Sequence, residues 1–397
     1  MILNYDQNVP HIIKYMGSKR KMLDQVITAI GSVHTSENTP VCDLFAGSSV
    51  LSGALRNSLP MISNDIQQYS GVLAKAYLGD YHWDQYPNIT QKIVDRATEH
   101  VNAFRRDYPQ YQFQYSQKMS RQEFVELEQA QQALINADFQ ETPYHLYTKY
   151  YSGTYWSFDQ CLWIDALREA IDYYRVEYSS VYYGALASLM FAMSYTSQST
   201  GHYAQYREAN TDSSMKDILI YREKELVPYF VRKMEDFQQT LEPNNFNHQV
   251  FAEDYMDCLD HVPIGTTIYA DPPYCFVHYS RFYHAIETLV RYDYPTVRYK
   301  GRYRIDRHQS PFCIRTQVRD AFERMFHKIR DIEGQLVLSY SNTGMISLPD
   351  LLDLAAESFG QVYNIEPSYF EYIHSTMGRK EDKSREVNEA IIVVRRV

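Results

Sequence analysis

The stretch A-D-P-P-Y-C-F at Ala270–Phe276 sets an acid, two prolines and an aromatic ring in a row, directly after the apolar run G-T-T-I-Y. Two prolines cannot sit inside a helix or a central strand, because each lacks an N–H donor and holds φ fixed. They stiffen the backbone and turn neighbouring carbonyls outward as acceptors beside the Asp271 carboxylate. Such an array suits an exocyclic aromatic amine: it holds both N–H bonds and turns the lone pair outward, while Tyr274 offers a flat face to a planar ring. The chemistry would be attack of an aromatic amino group on an electrophile. The alternative is an ordinary strand-ending turn.

A second stretch, D-L-F-A-G-S-S-V-L-S-G-A-L (Asp43–Leu55), follows an apolar run and opens a helical pattern. Gly47 permits close backbone approach at the turn, and Ser48 and Ser49 fall where a helix N-terminus leaves N–H groups for a ligand. About twenty residues on, Asp65 ends the next apolar run, where an acid can accept from both hydroxyls of a ribose. Glycine turn and distal acid together point to an adenosine-containing cofactor; a glycine turn kept for packing alone is the other reading.

Elements that could position these groups recur at both ends of the chain. Short apolar runs at 40–45, 60–65, 249–254, 266–271, 335–342, 361–366 and 388–396 read as strands, several of them apolar on successive positions as strands covered on both faces are. Helical patterns separate many of them, such as Lys19–Ile30, which Gly31 could end. From about Tyr77 to Asn244 helical signals dominate. Ser120–Ile135 is one helix; Cys161–Tyr174 sets Trp163, Leu167, Ala170, Ile171 and Tyr174 on one face; Ala185–Met193 reads as a buried helix. The expected organisation is an α/β domain with a doubly wound, mostly parallel sheet, built from residues 1–76 and 245–397. A largely helical insertion would occupy 77–244.

Composition is globular, and no apolar run reaches the ~18 residues needed to span a bilayer. No signal-peptide pattern stands at the N-terminus, so a cytoplasmic location without membrane association is expected. Five scattered cysteines without CxxC spacing, Cys42, Cys161, Cys258, Cys275 and Cys313, point to a reducing compartment and no metal site. The net charge of −10 does not advertise nucleic-acid binding, but residues 291–319 carry eight Lys/Arg against two Asp. Tyrosine is abundant, 37 of 397 residues. Either this is a compositional habit or some rings line a surface that stacks on bases.

K-Y-M-G-S-K-R-K-M-L near the N-terminus, D-L-F-A-G-S-S-V and A-D-P-P-Y, in this order, resemble the Dam-like alpha group of adenine-N6 DNA methyltransferases. H-Y-S-R-F-Y-H-A-I-E-T-L, Y-K-G-R-Y-R-I-D-R-H-Q-S-P-F, L-S-Y-S-N-T-G and G-T-Y-W-S-F-D-Q-C-L-W-I-D-A-L-R extend the resemblance along most of the chain. It implies S-adenosyl-L-methionine as cofactor, a Rossmann-like methyltransferase fold with a seven-stranded sheet, and a target-recognition insertion. Carried over by position, Asp271, Pro272, Pro273 and Tyr274 become the catalytic loop: Asp271 and the Pro272 carbonyl hold the adenine amine, and Tyr274 stacks on a base flipped out of the duplex.

The resemblance also implies that Tyr15, Gly17 and Lys19 enclose the cofactor, that Asp43, Phe45 and Gly47 approach its methionine half beside Asp271, and that Asp65 takes its ribose. Asp254 would meet its adenine amine, with Glu253 and Asp257 as alternatives. Read for structure alone, G-S-K-R-K-M-L is equally a helix start with Ser18 as N-cap. Serine at position 49 departs from the family's usual second glycine.

DNA contacts are expected from the basic band, through Lys300, Arg302, Arg304 and His308, from Arg281 ahead of it, and from Ser199–Asn210, through His202, Gln205 and Arg207. Each stretch is otherwise a solvated loop. The implied partner is double-stranded DNA, with a cognate restriction enzyme in a restriction–modification system, or none in a phage or solitary role. The enzyme would act as a monomer or weak dimer. The competing functions are a catalytically silent DNA-binding relative, or amino methylation of RNA, cytosine or a protein amide.

Overall fold

The computed structural model describes residues 1–139, 142–175, 179–198, 202–274, 276, 278–373 and 386–397. Cys275 and the start of the expected 199–210 contact stretch, Ser199, Thr200 and Gly201, lie outside the described residues. The strands are β1 (Val41–Asp43), β2 (Met61–Asn64), β3 (Gln249–Phe251), β4 (Thr267–Ala270), β5 (Val297–Arg298), β6 (Tyr303–Arg304), β7 (Gln335–Ser341), β8 (Tyr363–Ile373) and β9 (Glu386–Arg396). Seven form one mixed sheet in the order β3-β2-β1-β4-β7-β9-β8; β5 and β6 form a separate antiparallel ribbon. The first five strands of the large sheet run parallel, and β9 enters antiparallel between β7 and β8.

β1, β2 and β4 are buried at every position. Their apolar runs are continuous because both faces are covered, and successive residues feed two different cores. Val41, Met61, Tyr269, Val337 and Ile391 join one cluster. Their neighbours Cys42, Ile62, Ile268, Leu336 and Ile392 join the other, under the helices Tyr255–His261, Val318–Asp331 and Leu348–Phe359. The first cluster takes the helix Leu23–Val33 and then continues without interruption into the helices between β2 and β3.

Among the described residues, that long connection holds helices and no strand, from Gln68–Leu78 through Leu226–Thr240. Its helices start where the sequence supplies caps: Ser120 with Glu123, Ser157 with Gln160 and Thr211 with Ser214 each form reciprocal capping boxes. The helix Ser179–Thr196 is buried nearly all round and packs on Gln68–Leu78, a helix that runs across the expected boundary at 76/77.

Three local expectations are corrected. Gly31 does not end its helix, which continues to Val33; it is small because a side chain there would collide with the Met1 carbonyl. Ser18 does not cap, since its hydroxyl lies 3.4 Å from that of Ser48 and accepts nothing from the following turn. The 161–174 pattern belongs to a helix (Phe158–Tyr173) buried on more than one face, with Trp163 only half-buried.

Much of the tyrosine surplus lies in the core. Tyr69, Tyr77, Tyr81, Tyr147, Tyr151, Tyr155, Tyr203, Tyr283 and Tyr340 are among the largest fully buried side chains. Several hydroxyls end on backbone carbonyls, Tyr77 on Pro10, Tyr147 on Ala285 and Tyr155 on Tyr203, which removes the cost of burying them. No described helix is long and apolar enough to cross a membrane.

Candidate active site

A cleft of about 1080 Å³, counted to its open mouth, lies at the carboxyl ends of β1, β2 and β4. That edge is where doubly wound sheets take ligands. Asp43 closes β1, Asp65 follows β2 and Asp271 follows β4, so parallel register alone delivers three carboxylates to one cleft. Tyr15, Gly17 and Lys19 line it from the N-terminal segment, and Phe45 and Gly47 from the turn after β1.

Asp65 organises that turn. Its Oδ2 accepts from the Gly47 N–H at 2.9 Å and its Oδ1 from the Gln67 N–H at 2.9 Å. Gly47 has φ 51°, and a side chain there would meet the Tyr15 hydroxyl at 2.8 Å. Ser49 also adopts a left-handed φ of 56°, which explains why a glycine suits that position. Its buried hydroxyl donates to the Ser70 carbonyl at 3.2 Å, offsetting part of the backbone strain. Tyr15 is held by stacking, 4.8 Å from the Tyr283 ring and 5.6 Å from Tyr279.

Burial pushes the Asp65 carboxyl up to about 6, against the pull of its two backbone donors. Asp43 is pushed well above the usual carboxylate range by burial, and further by the nearby charges of Asp271 and Asp65. Among the described residues, Asp43 Oδ1 is a buried acceptor with no hydrogen-bond partner. An orphaned carboxylate oxygen facing a cleft is a place for a donor or a cation.

At the Asp271–Tyr274 loop the Lys19 ammonium lies 3.2 Å from Asp271 and 3.1 Å from Glu389, and 5.6 Å from the centre of the Tyr274 ring. The Tyr274 hydroxyl donates to the other oxygen of Glu389 at 2.9 Å. Burial disfavours the Lys19 charge, but Asp271 and Glu389 outweigh it and its pKa is raised. Cys313 Sγ braces the Pro273 carbonyl at 3.4 Å.

Glu389 is the residue that sequence reasoning missed. It stands early in β9, opposite Ser341 at the end of β7, and because β9 runs antiparallel this brings it to the ligand edge of the sheet. Asp254 is placed otherwise than expected: it caps the helix Tyr255–His261 by accepting from the Met256 N–H, and the acid that lines the cleft is Glu253.

The basic band is the larger correction. Arg304 is buried and its guanidinium is clamped between Asp293 and Asp306. Arg302 donates to the Gln132 and Tyr150 carbonyls, tying the β5–β6 ribbon to the helical segment. Neither faces outward. Arg304→Ala is therefore expected to lower stability by about 1 kcal/mol, through the lost packing of a buried side chain and its ion pairs, with Arg291 still pairing both exposed acids. Thermal unfolding should show the loss while the salt dependence of DNA binding stays unchanged.

The other candidates are more accessible. Arg281 and Gln205 are exposed, Lys300 pairs with Glu208 and Arg207 with Asp217 at the surface, where ion pairs exchange readily. His202 packs on Phe282, and His308 lines the cleft.

The chain has relatives of known name. Modification methylase LlaI of Lactococcus lactis subsp. lactis is 23% identical, the match covering 96% of this chain and 54% of the relative. Type II methyltransferase M.NlaIII of Neisseria lactamica is 24% identical, covering 90% of this chain and 91% of the relative. Type II methyltransferase M.CviAII of Paramecium bursaria Chlorella virus 1 is 24% identical, covering 87% and 88%. This chain thus spans about half the length of the Lactococcus relative and most of the other two. The family model described as D12 class N6 adenine-specific DNA methyltransferase matches residues 15–336, most of the chain, and the chain belongs to that family.

Proposed function

We propose that the protein transfers a methyl group from S-adenosyl-L-methionine to the N6 amine of an adenine flipped out of double-stranded DNA. The observation that carries this reading is the meeting of Asp271 and Tyr274 with Asp43, Gly47 and Asp65 in one cleft. The first five strands follow the order of doubly wound nucleotide-binding sheets, which supports a Rossmann-like assignment. The orphaned Asp43 oxygen fits the cofactor, and the missing side chain at Gly47 lets the Tyr15 ring close against the turn beside it. Asp65 would hold its ribose, Asp43 would face its cationic end, and Tyr15, Gly17, Lys19 and Phe45 would enclose it. Glu253 replaces Asp254 as the acid for its adenine. When bound, the cofactor supplies an electrophilic methyl on a positive sulfur.

The residues of the chain do the positioning. Asp271 and the Pro272 carbonyl accept the N–H bonds of the target amine and turn its lone pair toward the cleft. The Tyr274 ring stacks on the extruded base, whose unstacking costs a few kcal/mol. The amine needs no prior deprotonation, and its surplus proton passes to water, so the rate enhancement comes from orientation and hydrogen bonding. The helical segment, 77–244, would read the target site, with Arg207, Gln205, His202, Lys300, Arg281 and His308 near the duplex. A restriction–modification, phage or solitary role is compatible with the relatives.

The test is expression in a bacterium free of DNA methylation, followed by single-molecule mapping of modified bases. N6-methyladenine at one recurrent sequence is expected; unmodified DNA would overturn the reading.

Cofactor affinity should depend on pH. Ribose hydroxyls donate best to ionised Asp65, whose carboxyl titrates near 6 without ligand. The complex then binds fewer protons than the free protein, so affinity falls as pH drops through about 6, roughly tenfold per unit below it. Calorimetry at pH 5 and 7.5 checks this, and equal affinities would refute the Asp65 assignment.

A further inference from the structure

We infer that Glu389 is a positioning residue for the catalytic loop: it keeps the Lys19 ammonium and the Tyr274 hydroxyl in place so that Asp271 can exchange its lysine partner for the substrate amine. This rests on the function proposed above. The geometry is a fork. One Glu389 oxygen accepts from Lys19 at 3.1 Å and the other from Tyr274 at 2.9 Å, while Asp271 approaches the same ammonium at 3.2 Å. Glu389 is 1% exposed, so its charge is not dissipated by water.

Two carboxylates therefore share one ammonium. A lone Lys19–Asp271 pair would be a tight contact that the amine had to break, leaving a buried cation without its counter-ion. With Glu389 present, the ammonium keeps a partner throughout, and Asp271 can turn to the amine without stranding a charge. The second oxygen fixes the tilt of the Tyr274 ring, and with it the plane in which the base must lie. Three distant parts of the chain, the N-terminal segment, the catalytic loop and β9, are thereby set relative to one another.

The charge count separates this role from a merely structural one. The trio carries one surplus negative charge, so Glu389→Gln leaves a neutral Lys19–Asp271 pair; its single amide oxygen can still accept from Tyr274, while its N–H side turns to Lys19, which only Asp271 then holds. Folding should change little, since the ammonium keeps Asp271, while chemistry should suffer.

The experiment compares wild type, Glu389→Gln, Glu389→Ala and Tyr274→Phe, using S-adenosylmethionine labelled in the methyl group and plasmid DNA lacking modified bases. For Glu389→Gln we expect a single-turnover rate about 100-fold lower, with a cofactor Kd within threefold of wild type and a melting temperature close to it. Glu389→Ala, which also frees Tyr274, should be slower again. Tyr274→Phe in the Glu389→Ala background should then cost less than in wild type, because the two share one bond. A wild-type rate in Glu389→Gln overturns the inference and leaves the methyltransferase reading intact. Parallel losses of rate, cofactor affinity and melting temperature overturn it in favour of a structural role. A wild-type protein that methylates no DNA overturns both.

Discussion

Replacing Asp271 by alanine should reduce methyl transfer at least about 1000-fold while leaving cofactor affinity within a few-fold of wild type. The loop loses the carboxylate that would orient the amine, an interaction made fully only as the reaction proceeds, and loss of one such preorganised partner typically costs 10²- to 10³-fold. Misorientation of the nucleophile adds to that. Stability should hold, because Lys19 keeps Glu389 at 3.1 Å and is not left as an unpaired buried cation. Single-turnover methylation and calorimetric titration of the cofactor check the two halves separately. Equal losses in both would mean that Asp271 serves the cofactor rather than the base.

The second large effect is expected at Asp65. Its carboxylate accepts from the backbone of Gly47 and Gln67, so Asp65→Ala removes the acceptor that shapes the glycine turn together with the one offered to the ribose. The cofactor's Kd should rise about 100-fold, equivalent to about 2.7 kcal/mol and to the loss of one or two charge-assisted hydrogen bonds. DNA affinity measured without cofactor should change little. Asp65→Asn keeps one acceptor oxygen and should fall between. An unchanged Kd in the alanine variant would refute the assignment.

The frame of this molecule is legible in the sequence because its central strands are buried on both faces, which forces runs such as V-C-D-L-F and T-T-I-Y-A to be apolar without alternation. The carboxylates Asp65 and Asp271 are legible for the same reason, since each ends such a run, and Asp43 because an acid inside one stands out. The β5–β6 ribbon was hidden: its strands are two residues long, and T-V-R-Y-K-G-R-Y-R shows no apolar stripe. Charge counting misplaces Arg304 because it weighs the two acids inside the band as a sum, whereas the fold brings both onto one guanidinium. Glu389 was illegible for a different reason. It reads as the polar edge of an ordinary strand, and its partners Lys19 and Tyr274 lie 370 and 115 residues away.

The apolar cluster that runs unbroken from the sheet into the helices between β2 and β3 limits how the helical segment could be exchanged. Leu73, Tyr77, Met190 and Phe230 belong to the same packed interior as Val41 and Val337. The helical segment is therefore no cassette. Transplanting it whole from a relative would mismatch a close-packed interface and cost several kcal/mol at once. If the helical segment reads DNA as proposed, a new target is reached at less cost by substituting its outward side chains, which leaves the shared core packed as it is.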